Sequence, residues 1–285
     1  YLLELPTPIL QSGHLLIKTT FSLLSSGTER MLLEFGKSNI LEKVKNQPEK
    51  AQEVFEKINN DGLLPTFKAV NNKLDSLIPI GYSNVGRVIA VAKDVTGFKV
   101  GDRVVSNGPH AEIVTVPQNL CAKIPNDVSD SQAAFTVVSA VGLEAIRLSN
   151  PTFSETHLVI GLGLIGLLTA QILKANGCQV LAYDLDDKKC KIAKKLGIDS
   201  YCLKDPYDIL PICEKYSSGN GIDGVIVTAS AQSTSPIEIA AKVSRKKGRI
   251  ILVGVTGLDI KREWFYKKEL SFQVSCSYGP GRYDK

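Results

Sequence analysis

The spacing of apolar and polar positions changes character along the chain. From Leu15 to Ser25, and again from Val85 to Val116, short runs rich in Val and Ile are broken by Gly, Asp and Asn, as in Gly81-Tyr-Ser-Asn-Val-Gly86 and Gly97-Phe-Lys-Val-Gly-Asp102. This texture predicts a small antiparallel barrel. Between those runs, residues 30–77 carry Val44, Ala51, Val54, Phe55 and Ile58 at helical spacing among Lys and Glu, which predicts a helical insertion. After Pro125, Ser129-Asp-Ser-Gln132 reads as a helix start, with Ser129 or Asp130 capping a helix through Ala133–Ser149. Strand and helix then alternate. Strands are expected at 156–160, 179–183, 224–228, 248–253 and 270–275, and helices at 163–176, 187–196 and 236–243. Alternation of this kind builds a parallel sheet covered by helices on both faces. The expected fold class is α/β, with a barrel domain over residues 1–127 and a doubly wound domain over 128–285.

One turn in the second half carries chemistry. Gly161-Leu-Gly163-Leu164-Ile165-Gly166 follows the apolar run Leu158-Val-Ile160 and opens a helix. Gly161 permits a tight turn, Gly163 lets backbone approach a pyrophosphate, and Gly166 lets helix and strand pack closely. The pyrophosphate of a dinucleotide would rest on the free amides of that helix. The following strand ends at Asp184, 23 residues after the first glycine, at the place where a carboxylate reads adenosine ribose hydroxyls. A carboxylate there repels a 2′-phosphate, and Leu185 supplies no cation, so NAD is expected over NADP. The alternative is a nucleotide-free scaffold in which Asp184 caps a helix. Thr228 and Val253 close two later strand runs, at the sheet edge where a dinucleotide lies.

Composition narrows the classes. The chain has 285 residues, 44% hydrophobic and 22% charged, which suits a soluble two-domain protein. Its formal charge of +5 is interspersed with acids, so a nucleic-acid role is not indicated. The apolar stretch from Leu158 to Leu173 is too short for a membrane span. Cys121, Cys178, Cys190, Cys202, Cys213 and Cys276 stand far apart without metal spacing, which reads as buried free thiols in a reducing, cytoplasmic compartment. The start at Tyr1 and the ending Tyr278-Gly-Pro-Gly-Arg-Tyr-Asp-Lys285 suggest a chain trimmed at both ends.

Several segments together resemble the medium-chain dehydrogenase/reductase family, a GroES-like barrel joined to a Rossmann domain. They are Ser26-Gly27-Thr28-Glu29, Gly81-Tyr82-Ser83, Gly101-Asp-Arg-Val104 and the glycine turn. Longer matches point to its bi-domain branch, in which such a unit is fused to a Gfo/Idh/MocA-like half. These are Ser25-Ser-Gly-Thr-Glu-Arg30, Gly62-Leu-Leu-Pro-Thr66, Gly81–Gly86, Ser106-Asn-Gly-Pro-His-Ala-Glu112 and Ser275-Cys-Ser-Tyr-Gly-Pro-Gly-Arg-Tyr283. The resemblance implies a further C-terminal portion, a second oxidoreductase half as partner, and a dimer formed through the edge strand near Leu270–Ser275. It also implies that Lys189 reaches the adenosine ribose; by itself Lys189 reads as a solvated helix charge.

Zinc-dependent relatives place ligands at positions matched here by Ser26, by Tyr82 with Ser83, and by Val137, none of them a usual zinc ligand. The structural zinc lobe is also missing, because His110 follows Val104 within a short loop. No zinc is therefore expected, and Glu29 with His110 is too small a ligand set for another metal. Without a metal, hydrogen-bond donors must meet the charge that develops on a substrate oxygen during hydride transfer. Thr28, Tyr82 and His110 are the candidates; each equally suits a local role, as helix cap, barrel tyrosine and loop brace. The reading is a zinc-independent NAD(H) oxidoreductase acting on a small alcohol or carbonyl, with a sugar derivative in glycan biosynthesis suggested by the resemblance. An enone or quinone reductase and a non-catalytic NAD-binding module are the alternatives. The helical insertion reads either as a lid or docking surface, or as a peripheral decoration.

Overall fold

The computed structural model describes residues 3–27, 29–30, 33 and 79–280. Thr28 and nearly all of the expected insertion at 30–77 lie outside the described residues. The chain forms two compact units, Tyr1–Ala134 and Phe135–Lys285.

In the first unit, strands β1 (His14–Ser22), β2 (Asn84–Val91), β3 (Arg103–Ser106), β4 (Ile113–Pro117) and β5 (Cys121–Lys123) form one antiparallel sheet in the order β4-β1-β2-β3-β5. Alternation decides its faces, since successive strand side chains point to opposite sides. Leu15 and Ile17 of β1 are buried against Val88, Val104, Val114 and Val116.

The expected continuous helix through Ala133–Ser149 is instead two, α1 (Asp130–Ala133) and α2 (Thr136–Ser149). Ser129 and Gln132 form a reciprocal capping box at the start of α1, satisfying amides that a helix start leaves free. Tertiary bonds then hold α1 on the sheet. Asp130 accepts from Thr20 Oγ1 at 2.8 Å and from Arg103 Nε at 3.0 Å. Buried Ser83 donates its hydroxyl to the Ala134 carbonyl at 2.6 Å, taking an acceptor that a continuous helix would have used. The two compact units divide after Ala134.

The second unit is a six-stranded parallel sheet of β6 (Thr156–Ile160), β7 (Gln179–Asp184), β8 (Asp199–Cys202), β9 (Ile222–Val227), β10 (Ser244–Leu252) and β11 (Ser271–Val274), ordered β11-β10-β9-β6-β7-β8. That is the doubly wound order, with its reversal between β6 and β9. Helices α3 (Leu164–Ala175), α4 (Asp187–Lys195), α5 (Ile209–Tyr216), α6 (Ser235–Val243) and α7 (Arg262–Tyr266) connect or follow the strands. Both faces of the sheet are covered. Leu158 and Ile160 of β6 join one buried cluster with Val225, Ile237 and Ile250, while Val159 between them joins another with Ala170, Ala182 and Ile226.

Strand β8 and helices α5 and α7 have no counterpart in the sequence reading. In β8 the residues Asp-Ser-Tyr-Cys bury only Ser200, so no apolar run marks it. The cysteines also need a correction: all six are free, but only Cys178, Cys190 and Cys213 are buried, Cys121 is half-buried, and Cys202 and Cys276 are exposed. Among the described residues, no helix is long and apolar enough to cross a membrane.

Candidate active site

The glycine turn leaves β6 at its carboxyl end, and its three glycines answer to different neighbours. Gly161 has φ +96°, and a Cβ there would lie 2.8 Å from the Ala229 backbone. A Cβ on Gly166 would collide with the Gly161 carbonyl oxygen and lie 2.7 Å from Thr228 Oγ1. Gly163 is exposed at the start of α3, and a Cβ there would meet nothing within 4 Å. No packing among the described residues therefore requires a glycine at 163. Close approach of a ligand to the backbone does require one.

Gly163 is the residue before the first turn of α3 and supplies no side-chain cap. The amides of Leu164, Ile165 and Gly166 open that helix, and amides at such a position lack intrahelical acceptors and carry the positive end of the helix dipole. The side chains of Leu164 and Ile165 are half-buried. The donor set fits a pyrophosphate.

Asp184 closes β7 beside this turn. Its Oδ2 accepts from the Leu162 amide at 2.7 Å and from Lys189 Nζ at 3.4 Å, and its Oδ1 accepts from the Asp186 amide at 2.9 Å. One carboxylate thus ties the glycine turn, the loop after β7 and the first turns of α4 together. An ionised carboxylate accepts about four bonds, so Oδ1 keeps capacity for a ribose hydroxyl. Lys189, expected on the ribose, rests on Asp184 in this structure, and Thr228 donates its hydroxyl to the Gly161 carbonyl at 2.7 Å. Thr228 therefore holds the turn from behind. Val253 follows β10 at the same carboxyl edge, its amide on the Val227 carbonyl at 2.9 Å. Spacing alone did not reveal the bond from Leu162 to Asp184, because backbone donors carry no sequence signature.

In the first unit, Ser26, Gly27, Glu29 and Arg30 are helical, and Glu29 Oε1 turns back to accept the Ser25 amide at 2.8 Å. The other oxygen of this buried carboxylate lies 3.1 Å from His110 Nε2. The His110 ring packs on Gly81: a Cβ at this φ +97° glycine would come within 2.6 Å of the imidazole. The His110 amide also bonds the Ile80 carbonyl at 2.8 Å, and its Nδ1 is buried. Glu29, Gly81 and His110, distant in sequence, thus converge, with half-buried Tyr82 next to Gly81. Nε2 of His110 thus faces Glu29, its buried Nδ1 has no hydrogen-bond partner among the described residues, and Tyr82 lies beside the same loop.

At the positions that match zinc ligands in the resemblance, Ser26, Tyr82, Ser83 and Val137 do not form a zinc donor set, and the Ser83 hydroxyl is already spent on Ala134. Among the described residues there is no group of three His, Cys, Asp or Glu able to hold a metal.

Known proteins carry the same two parts. Residues 60–126 match the alcohol dehydrogenase GroES-like domain family, and residues 165–285 match the zinc-binding dehydrogenase family. The chain is alcohol dehydrogenase-like. It is an oxidoreductase of the medium-chain type, in a family that depends on NAD(P). Sorbitol dehydrogenase of Halalkalibacterium halodurans is 27% identical over 243 residues, 73% of this chain and 70% of that protein. Alcohol dehydrogenase of Geobacillus stearothermophilus is 28% identical over 218 residues, and there the match covers 65% of this chain but 62% of the relative. A mycobacterial protein solved in complex with NADPH shares the fold, with TM-score 0.71 and 20% identity over 98% of this chain and 78% of its own.

Proposed function

We propose that this alcohol dehydrogenase-like chain transfers hydride between NAD(H) and a small alcohol or carbonyl, a polyol or sugar derivative being the preferred class, without catalytic zinc. The observation that carries the cofactor half is Gly163: it is exposed at the head of α3, and among the described residues nothing packs where its Cβ would lie. Gly163 and the amides of Leu164, Ile165 and Gly166 would hold the pyrophosphate, and Asp184 with Lys189 the adenosine ribose. When bound, the nicotinamide supplies or accepts the hydride. The carboxylate of Asp184 favours NAD, because a 2′-phosphate beside it would set like charges together.

The substrate half rests on residue chemistry. In the absence of a Lewis acid, a hydroxyl donor must meet the charge on the substrate oxygen and carry its proton. The Tyr82 phenol supplies that donor in this reading, with Thr28 as a second, and the pair of Glu29 and His110 fixes the loop around Gly81. The relatives' names, sorbitol and alcohol dehydrogenase, support an alcohol or polyol substrate. The bi-domain resemblance supports a second oxidoreductase half as partner, and β11 at the sheet edge supports a dimer.

The test is a titration of the purified protein with NADH and NADPH, then a screen of polyols, sugar alcohols and aldehydes with chelator present. Expected are NADH binding that Asp184→Ala weakens, turnover that survives chelation, and a drop in kcat of about 100-fold in Tyr82→Phe, the lower end of general acid–base contributions. Turnover abolished by chelation and restored by zinc would overturn the metal-free reading. Binding without turnover on any substrate would leave a dinucleotide-binding module.

A further inference from the structure

Two cysteines, 12 residues apart in sequence, flank the loop that follows β7. Cys190 sits in α4 and is buried; its thiol donates to the Tyr201 carbonyl at 3.2 Å and lies 3.6 Å from the Asp184 carbonyl. Cys202 ends β8, directly paired with Asp184 across the sheet, and its exposed thiol lies 3.7 Å from the Leu185 carbonyl. Each sulfur thus addresses one of two consecutive carbonyls in the segment that carries the ribose-reading carboxylate. Both thiols therefore face the same short segment, residues 184–185. Burial pushes the Cys190 thiol up, and neighbouring Cys202 adds to the rise.

We propose that Cys190 and Cys202 form a redox modification site, in which a disulfide between them reshapes the loop at Asp184 and Leu185 and weakens dinucleotide binding. The consequence for binding rests on the NAD(H) reading above; the modification site does not. The co-reactant is a low-molecular-weight disulfide. The exposed Cys202 thiolate attacks one of its sulfurs and expels one small thiolate. Cys190, giving up its proton, then attacks the Cys202 sulfur of the mixed disulfide, forming the Cys190–Cys202 bond and expelling the second small thiolate. Two protein thiols are oxidised, the small disulfide is reduced to two thiols, and the released thiolates take up the two protons.

Bond formation removes the Cys190 S–H from the Tyr201 and Asp184 carbonyls and the Cys202 S–H from the Leu185 carbonyl, and it ties α4 to the end of β8. The Asp184 carboxylate, already shared among Leu162, Asp186 and Lys189, moves with that backbone. Of the other four thiols, Cys178 and Cys213 are buried, Cys121 is half-buried on the Pro117 carbonyl, and Cys276 is exposed in a segment outside this loop.

The experiment treats the purified protein with oxidised glutathione, maps disulfide-linked peptides by mass spectrometry, follows amide exchange across residues 184–188, and titrates NADH before and after treatment. Expected are a Cys190–Cys202 linkage, faster exchange in that loop, and about tenfold weaker NADH binding, within the ordinary range of coupling between sites. Dithiothreitol should restore the affinity. Cys202→Ser should abolish the effect and Cys276→Ser should leave it intact. Absence of the linkage, or a linkage that changes neither exchange nor affinity, would overturn the proposal. If the reduced protein does not bind NADH, the dinucleotide reading fails, while the linkage and the exchange still decide the modification site.

Discussion

A methyl group added to Gly166 would strike the Gly161 carbonyl oxygen, whereas one added to Gly163 would touch nothing in the chain. The two substitutions therefore separate folding from binding. Gly166→Ala is expected to destabilise the protein by about 1–3 kcal/mol, the usual cost of overpacking. Gly163→Ala should change stability by less than about 0.5 kcal/mol, as at open surface positions, yet weaken NADH binding. Denaturant unfolding and NADH titration of both variants check this; equal loss of stability would mean that Gly163 is also a packing glycine. The packing role of Gly166 was legible in the spacing of the glycines. The approach of Glu29 to His110 entered the sequence reading only as a ligand pair, and the commitment of Thr228 to Gly161 not at all, because a hydroxyl is compatible with a ligand or a carbonyl and only the neighbours choose.

Strand β6 buries a histidine in its middle. His157 is fully buried, its Nε2 sits 3.2 Å from the Ser149 hydroxyl of α2, and a Cβ on Gly224 of β9 would come within 2.6 Å of its ring. Desolvation holds its pKa down, from 6.5 to about 4. The unfolded chain therefore binds the proton more readily than the folded one. This histidine's contribution is fully present above pH 6.5 and is lost as pH falls toward about 4. The loss amounts to about 3 kcal/mol at 1.36 kcal/mol per unit. Unfolding free energies across that window, for the wild type and for His157→Gln, should show a shallower slope in the variant; parallel slopes would assign the acid sensitivity to other groups. Elements with strong apolar patterns, such as β6 and α3, were readable from the sequence. Strand β8 and the break between α1 and α2 were not, since β8 is held by pairing with β7 and the break by a tertiary bond from Ser83.

The doubly wound unit as a whole offers a thermodynamic test of cofactor choice. A ligand that binds only the folded state adds about 2.7 kcal/mol at a hundredfold excess over its Kd, a rise in melting temperature of several degrees for a chain of this size. NADH is expected to produce such a shift and NADPH, at the same concentration, a smaller one. Equal shifts would remove Asp184 as the discriminating group. By itself the sequence determined the alternation of strands and helices, the glycine turn with its carboxylate, and the residue types at the positions that hold zinc in relatives. These depend on local periodicity and short spacings, which a chain displays before it folds. The tertiary structure alone decided where α1 breaks from α2, that Thr228 holds the Gly161 carbonyl, and that Cys190 and Cys202 lie beside the loop after Asp184. Each of those facts depends on which distant segments become neighbours, and that is fixed by burial and strand pairing across the whole sheet.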